Sequence, residues 1–99
     1  MAKKLNIILC AGANGRAVIV GTVARKPIVG EPVEVRDARM VLRWDSACGG
    51  LLGLAANGPK ADTRLTAPVP RVVETVWQEW VELTPDAKAA IDRWASWRS

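Results

Sequence analysis

The sequence predicts an α+β domain: a small antiparallel sheet of about four strands, a short glycine-rich helix and a C-terminal amphipathic helix. Three stretches carry that expectation. Two β-branched runs flank Asn14-Gly15 within Leu5–Gly21, Val33–Trp44 alternates as a strand does, and Thr84-Pro85-Asp86 has the chemistry of a helix start. The 99 residues amount to one domain, 1–99, large enough for a thin core.

The first stretch, "LNIILCAGANGRAVIVG", poses a choice between a phosphate-binding glycine loop and a turn. A phosphate loop must open into a helix, whose N-terminus supplies free N–H groups. Gly15 leads instead into Arg16-Ala17-Val18-Ile19-Val20-Gly21-Thr22-Val23, which is strand chemistry. Asn14 and Gly15 both tolerate positive φ, so a two-residue type I′ hairpin is expected. No nucleotide loop is present.

Pro27, Gly30 and Pro32 then make a loop. In Val33–Trp44 the apolar side changes face near Asp37-Ala38, which implies a bend or bulge. Asp45 or Ser46 is expected to cap a helix that Asn57-Gly58-Pro59 ends, with an apolar and therefore buried body. A polar loop containing Pro68 and Pro70 leads to Arg71–Leu83, whose spacing fits either a helix or a strand. β-Branched enrichment and the adjacent helix start favour one Trp-rich strand, with Trp77 and Trp80 on opposite faces. Thr84 caps, Pro85 takes the first helical position, and the helix runs to about Trp97, with Ala87, Ala90, Ile91 and Trp94 on the face that covers the sheet.

Composition excludes several chemistries. Histidine is absent, which removes Ser–His–Asp and Cys–His arrangements and imidazole metal sites. Cys10 and Cys48 are far apart with no C-x-x-C pattern; two free thiols are preferred over a disulfide, which only the fold could allow. No metal and no cofactor is expected. Basic residues outnumber acidic ones in the first half, giving the net charge of +4. That excess is modest, and a solvated surface explains it more simply than a nucleic-acid interface. The apolar run near the start is too short for a membrane span.

Val41–Leu65 resembles a segment of a family of small, uncharacterised phage-encoded proteins with a domain of unknown function. Arg43-Trp44, Gly50-Leu51, Gly53, Leu54-Ala55, Gly58-Pro59, Thr63 and Leu65 carry the resemblance. It implies a phage or prophage origin, hence a cytoplasmic protein of an infected bacterial host, and no particular activity.

The candidate ligand residues are Arg39, Arg43, Trp44, Ser46, Gly49 and Gly50, where a helix start meets two arginines and an anion would be favoured. A helix cap with close packing accounts for the same residues without a ligand. Trp77, Trp80 and Trp97 are candidate interface residues. No catalytic residue is identified. The expected function is non-enzymatic binding: holding a small anionic, nucleotide-like ligand or inhibiting a host protein such as a defence component. A dimer or larger homo-oligomer is expected, because a small sheet has edges to protect. The alternatives are nucleic-acid binding through the basic half and a carboxylate-dependent nucleotide hydrolase. Acidic neighbours of Trp77 and Trp80 count against the former.

Overall fold

The computed structural model describes residues 4–43 and 49–97. β1 (Leu5–Ala11) and β2 (Ala17–Val23) pair antiparallel from Leu5↔Val23 to Ala11↔Ala17. Their connection is five residues long, not a two-residue type I′ turn. Gly12 and Gly15 take φ of 84° and 69°, Asn14 does not enter the left-handed region, and Gly15 N donates to Gly12 O at 3.1 Å. Asn14 instead accepts a hydrogen bond from Arg16 N through Oδ1. The asparagine serves the turn with its side chain rather than its backbone.

β3 (Val33–Arg43) lies against β2 and contains the bulge that its alternation requires. Pairing jumps from Val20↔Arg39 to Thr22↔Arg36, and Asp37 sits at φ 50°. The extra residue lets Val33, Val35 and Ala38 all reach one apolar cluster.

Three further strands come after the short helix. β4 (Arg64–Leu65) pairs with Val41 and Arg43 at the end of β3, and β5 (Val69–Glu74) pairs with Val33–Ala38 at its start. Between them, Thr66 N donates to Met40 O and Met40 N donates to Thr66 Oγ1, so a side chain bridges the gap in the ladder. β6 (Trp77–Glu82) pairs with β1, giving the order β4-β3-β2-β1-β6 with β5 also beside β3.

This topology forces the sheet to curl. In a flat sheet the outer neighbours of β3 and β1 would lie about 19 Å apart, four strand spacings. From Glu74 to Trp77 the chain spans at most about 11 Å. β5 and β6 are one extended segment broken by a corner at Thr75-Val76, and that segment brings the two sides of the sheet together. Gly12 N donates to Val76 O and Trp77 Nε1 to Glu31 O at 2.8 Å, which pin the corner to both ends of the sheet.

The expected α+β class with about four strands is therefore corrected: the protein is mostly β, a six-stranded antiparallel sheet with two short helices. Two features hid the extra strands. Pro70 lies inside β5, an edge strand where a missing N–H costs no ladder bond. Arg71–Leu83 also divides at the corner instead of forming one strand.

α1 (Gly50–Asn57) ends as expected, with Gly58 N donating to Leu54 O, but only Leu54 and Ala55 are buried and Leu52 is exposed. α2 (Pro85–Arg93) is capped by Thr84, whose Oγ1 accepts from Ala87 N at 3.1 Å. It stops short of Trp97. The chain leaves it at Trp94 and runs beside β4, where Ser96 bridges to Leu65 and Trp97 N donates to Leu65 O.

The interior has two parts, one on each side of the sheet. Ile8, Cys10, Val18, Val20, Val41 and Leu65 face Leu54 and Ala55 of α1 and Ala87 and Ile91 of α2. Ile7, Leu9, Ala11, Ile19, Val23, Val33, Val35 and Ala38 face into the curl, with Trp77 and Trp80 against them.

Candidate functional site

Of the six candidate ligand residues, Trp44 and Ser46 lie outside the described residues, as do the proposed cap Asp45 and Cys48. The other four are not gathered. Gly49 precedes α1 at φ 86° and Gly50 opens it at φ 75°, with no side chain capping the helix. Arg43 is exposed at the end of β3, opposite Arg64 in the ladder. Arg39 is four residues earlier, about 13 Å along an extended strand. It turns under α2 instead of towards α1.

Arg39 is the exceptional residue. It is only 5% exposed, although it carries a permanent charge. Nε donates to Thr66 O at 2.7 Å and Nη1 to Ile91 O at 2.5 Å. The second bond reaches a carbonyl in the last turn of α2 that also accepts from Trp94 N at 3.1 Å, and there a cation meets the negative end of the helix dipole. One guanidinium thus ties β3, the β4–β5 connection and α2 together. Nη2, however, is buried and has no partner, alone among the buried side-chain nitrogens and oxygens of the described residues. Burial pushes the Arg39 pKa down, and Asp92 acts in the opposite direction.

Arg39 lines a cleft of about 370 Å³ together with Asp37, Pro68, Lys88, Asp92, Trp94 and Ser96. Lys88 Nζ donates to both carboxylate oxygens of Asp92 at 2.7 Å, an i,i+4 pair along α2. Trp94 is half-buried, and its Nε1 donates to Thr63 O at 2.9 Å, which fixes the indole as a wall. Two cations, two carboxylates and one immobilised aromatic ring therefore converge on one cavity, whose size falls within the usual range for small-molecule sites.

The tryptophans are arranged differently from the expectation. Pairing shifts from Cys10↔Glu79 to Ala11↔Trp77, so Gln78 is an extra residue and Trp77 and Trp80 reach the same cluster instead of opposite faces. Both are half-buried within this chain. Trp97 is 43% exposed, with the Arg64 guanidinium 5.2 Å from its ring centroid. Cys10 is a free buried thiol whose pKa is raised, first by burial and then by Glu79.

Of the candidate ligand residues within the described part, only Arg39 lines this cleft; Asp37, Pro68, Lys88, Asp92, Trp94 and Ser96 are not among the candidates. Lys88 and Asp92 carry the i,i+4 signature in plain view. Their relation to Arg39 depends on where α2 docks, which no local pattern contains.

Among the described residues no group of three or more Cys, Asp and Glu could hold a metal, and no helix is long and apolar enough to cross a membrane. Fold and cleft together define a small curled-sheet β domain with a charged, aromatic-walled cavity under its second helix. Residues 5–93 match the model of a family described as a domain of unknown function, DUF6948, and the chain belongs to that family. No curated protein and no solved structure matches it.

Proposed function

We propose that this chain is a small non-enzymatic binding protein of phage or prophage origin, which acts by retaining a charged small ligand. The observation that supports it is the Arg39 guanidinium, buried beside a cleft with one nitrogen unpaired. A buried polar group without a partner costs roughly 1–3 kcal/mol, more when charged, and a bound molecule that accepts its hydrogen bond offsets that cost. The absence of histidine, which removes imidazole-assisted nucleophiles, favours retention over turnover.

Inhibition of a host protein is the second form of the same reading. It draws on the exposed Val69 and Val73 of β5, whose far side faces no other strand among the described residues. The same edge favours self-association into a dimer or larger. The nucleic-acid and hydrolase alternatives have no comparable support. Arg36 is engaged by Glu34, and the exposed residues of β6 are Gln78, Glu79 and Glu82.

Native mass spectrometry of the protein purified gently from cells tests the proposal. The expected mass is an integer number of chains plus a small excess that is released on denaturation. A bare chain that also captures no host protein and holds no candidate ligand on titration would end it.

A further inference from the structure

We infer that the cleft under α2 binds a small zwitterion, a molecule carrying one carboxylate and one ammonium group such as a free α-amino acid. The inference rests on the binding-protein reading and narrows its ligand class. A simple anion is a poor occupant, because Asp37 and Asp92 line the same cavity as Arg39 and Lys88. A simple cation meets the converse objection. A zwitterion matches the lining charge for charge.

The arrangement also supplies an exchange that conserves ion pairs. In the free protein Asp92 takes both of its short bonds from Lys88. A ligand carboxylate would accept from Arg39 Nη2 and Lys88 Nζ, and the ligand ammonium would donate to the freed Asp92 and to Asp37. Every charge then keeps a partner, and the one orphaned nitrogen gains one. Trp94 and Pro68 add apolar wall for the ligand's hydrocarbon part, with Trp94 held in place by its bond to Thr63 O. Arg39 is anchored through two of its nitrogens, so little side-chain freedom is lost when a ligand meets it.

The test is isothermal titration of the whole protein with a panel of free α-amino acids, with acetate, methylammonium and inorganic phosphate as single-charge probes. At least one amino acid should bind, while acetate, methylammonium and phosphate bind at least about tenfold more weakly. Asp92 is exposed on α2 and Lys88 half-buried there; Lys88→Met keeps most of the length of the side chain, so it and Asp92→Asn should leave the fold intact by circular dichroism. Each should weaken the amino acid by about tenfold or more. Asp92→Asn should also narrow the preference over acetate, a change that a general loss of structure would not produce. Acetate or phosphate binding as tightly as any amino acid would overturn the zwitterion assignment in favour of a plain anion site. Amino-acid binding that is unchanged in both variants would overturn the location. A ligand retained from cells that is not a zwitterion, and is indifferent to both variants, would sink this inference while leaving the binding-protein reading in place. No binding of any probe by a protein purified bare would overturn this inference, and the binding-protein reading would fall with it only if the chain also captured no host protein.

Discussion

β1 supplies residues to two interiors that are closed in different ways. Ile7, Leu9 and Ala11 face the space that the sheet closes on itself, while Ile8 and Cys10 face α1 and α2. The inner space is lined by apolar residues, with the two tryptophans at its open side. The helix-covered side includes a buried cation and a charged cleft. A curled sheet satisfies its backbone through its own ladder, so its interior needs no polar side chain. Helices end, and their last carbonyls need donors. Arg39 adds a second donor to Ile91 O beside Trp94 N, and with it comes a charge that must be partnered. The capacity for chemistry sits on the side where helix ends create polar demand.

Substitutions can break that contrast. The largest expected effect is inside the curl. Leu9 is fully buried, and Leu9→Ala should cost about 2–5 kcal/mol in denaturant unfolding. A cost under about 1 kcal/mol would show that the inner cluster collapses freely and is not the rigid half of the molecule. Next comes Gly21→Ala. A β-carbon there would collide with Val35 Cγ1 and stand 2.7 Å from Arg36 O, where β2 crosses the β3 bulge. The expected loss is about 1–3 kcal/mol, because one of the obstacles is backbone. An unchanged unfolding midpoint would mean that the β2–β3 contact yields.

Trp77→Phe tests the corner alone. It keeps the aromatic body and removes the donor to Glu31 O, so roughly 0.5–1.5 kcal/mol should be lost. A loss of that size with an unchanged m-value identifies the bond as a local pin. A lowered m-value would show that the curl itself has opened.

The smallest effect is a slope. The pKa of Cys10 is raised in the folded state, so folding favours the neutral thiol. Its contribution is fully present below the unfolded thiol pKa of about 8.5 and is lost as pH rises through the folded value. Stability of the native sequence should therefore decline more steeply than that of Cys10→Ala as pH rises from about 8.5 towards the folded value. Parallel declines, measured by urea unfolding at several alkaline pH values, would refute a buried protonated thiol.

Much of the framework is legible in local chemistry. The runs around Gly12–Gly15, the bulge at Asp37-Ala38 and the Thr84-Pro85 helix start each depend on residues within a few positions of one another. The errors fall where distant segments decide. Pro68 and Pro70 read as loop because prolines do interrupt inner strands; only the position of β5 at the edge of β3 makes Pro70 harmless. Trp77 and Trp80 read as opposed because a strand alternates, and only pairing with β1 reveals Gln78 as an extra residue. For the candidate site, Arg39 is legible only as one of two strand arginines that precede a helix start. Its partners on α2 are not, since nothing near Lys88 states which strand the helix will cover.

The joining of β5 to β6 has a consequence for how the chain is made. β6 is the outer neighbour of β1, so the first strand of this sheet to be synthesised waits for the last one. The β1–β2 hairpin can form early, but its open side keeps an unpaired row of backbone groups until residues 77–82 arrive. Such long-range closure is slow to nucleate. Until it happens Ile7 and Leu9 lack the tryptophans that shield them, so a nascent chain ending before Trp77 exposes apolar side chains beside an unpaired strand edge.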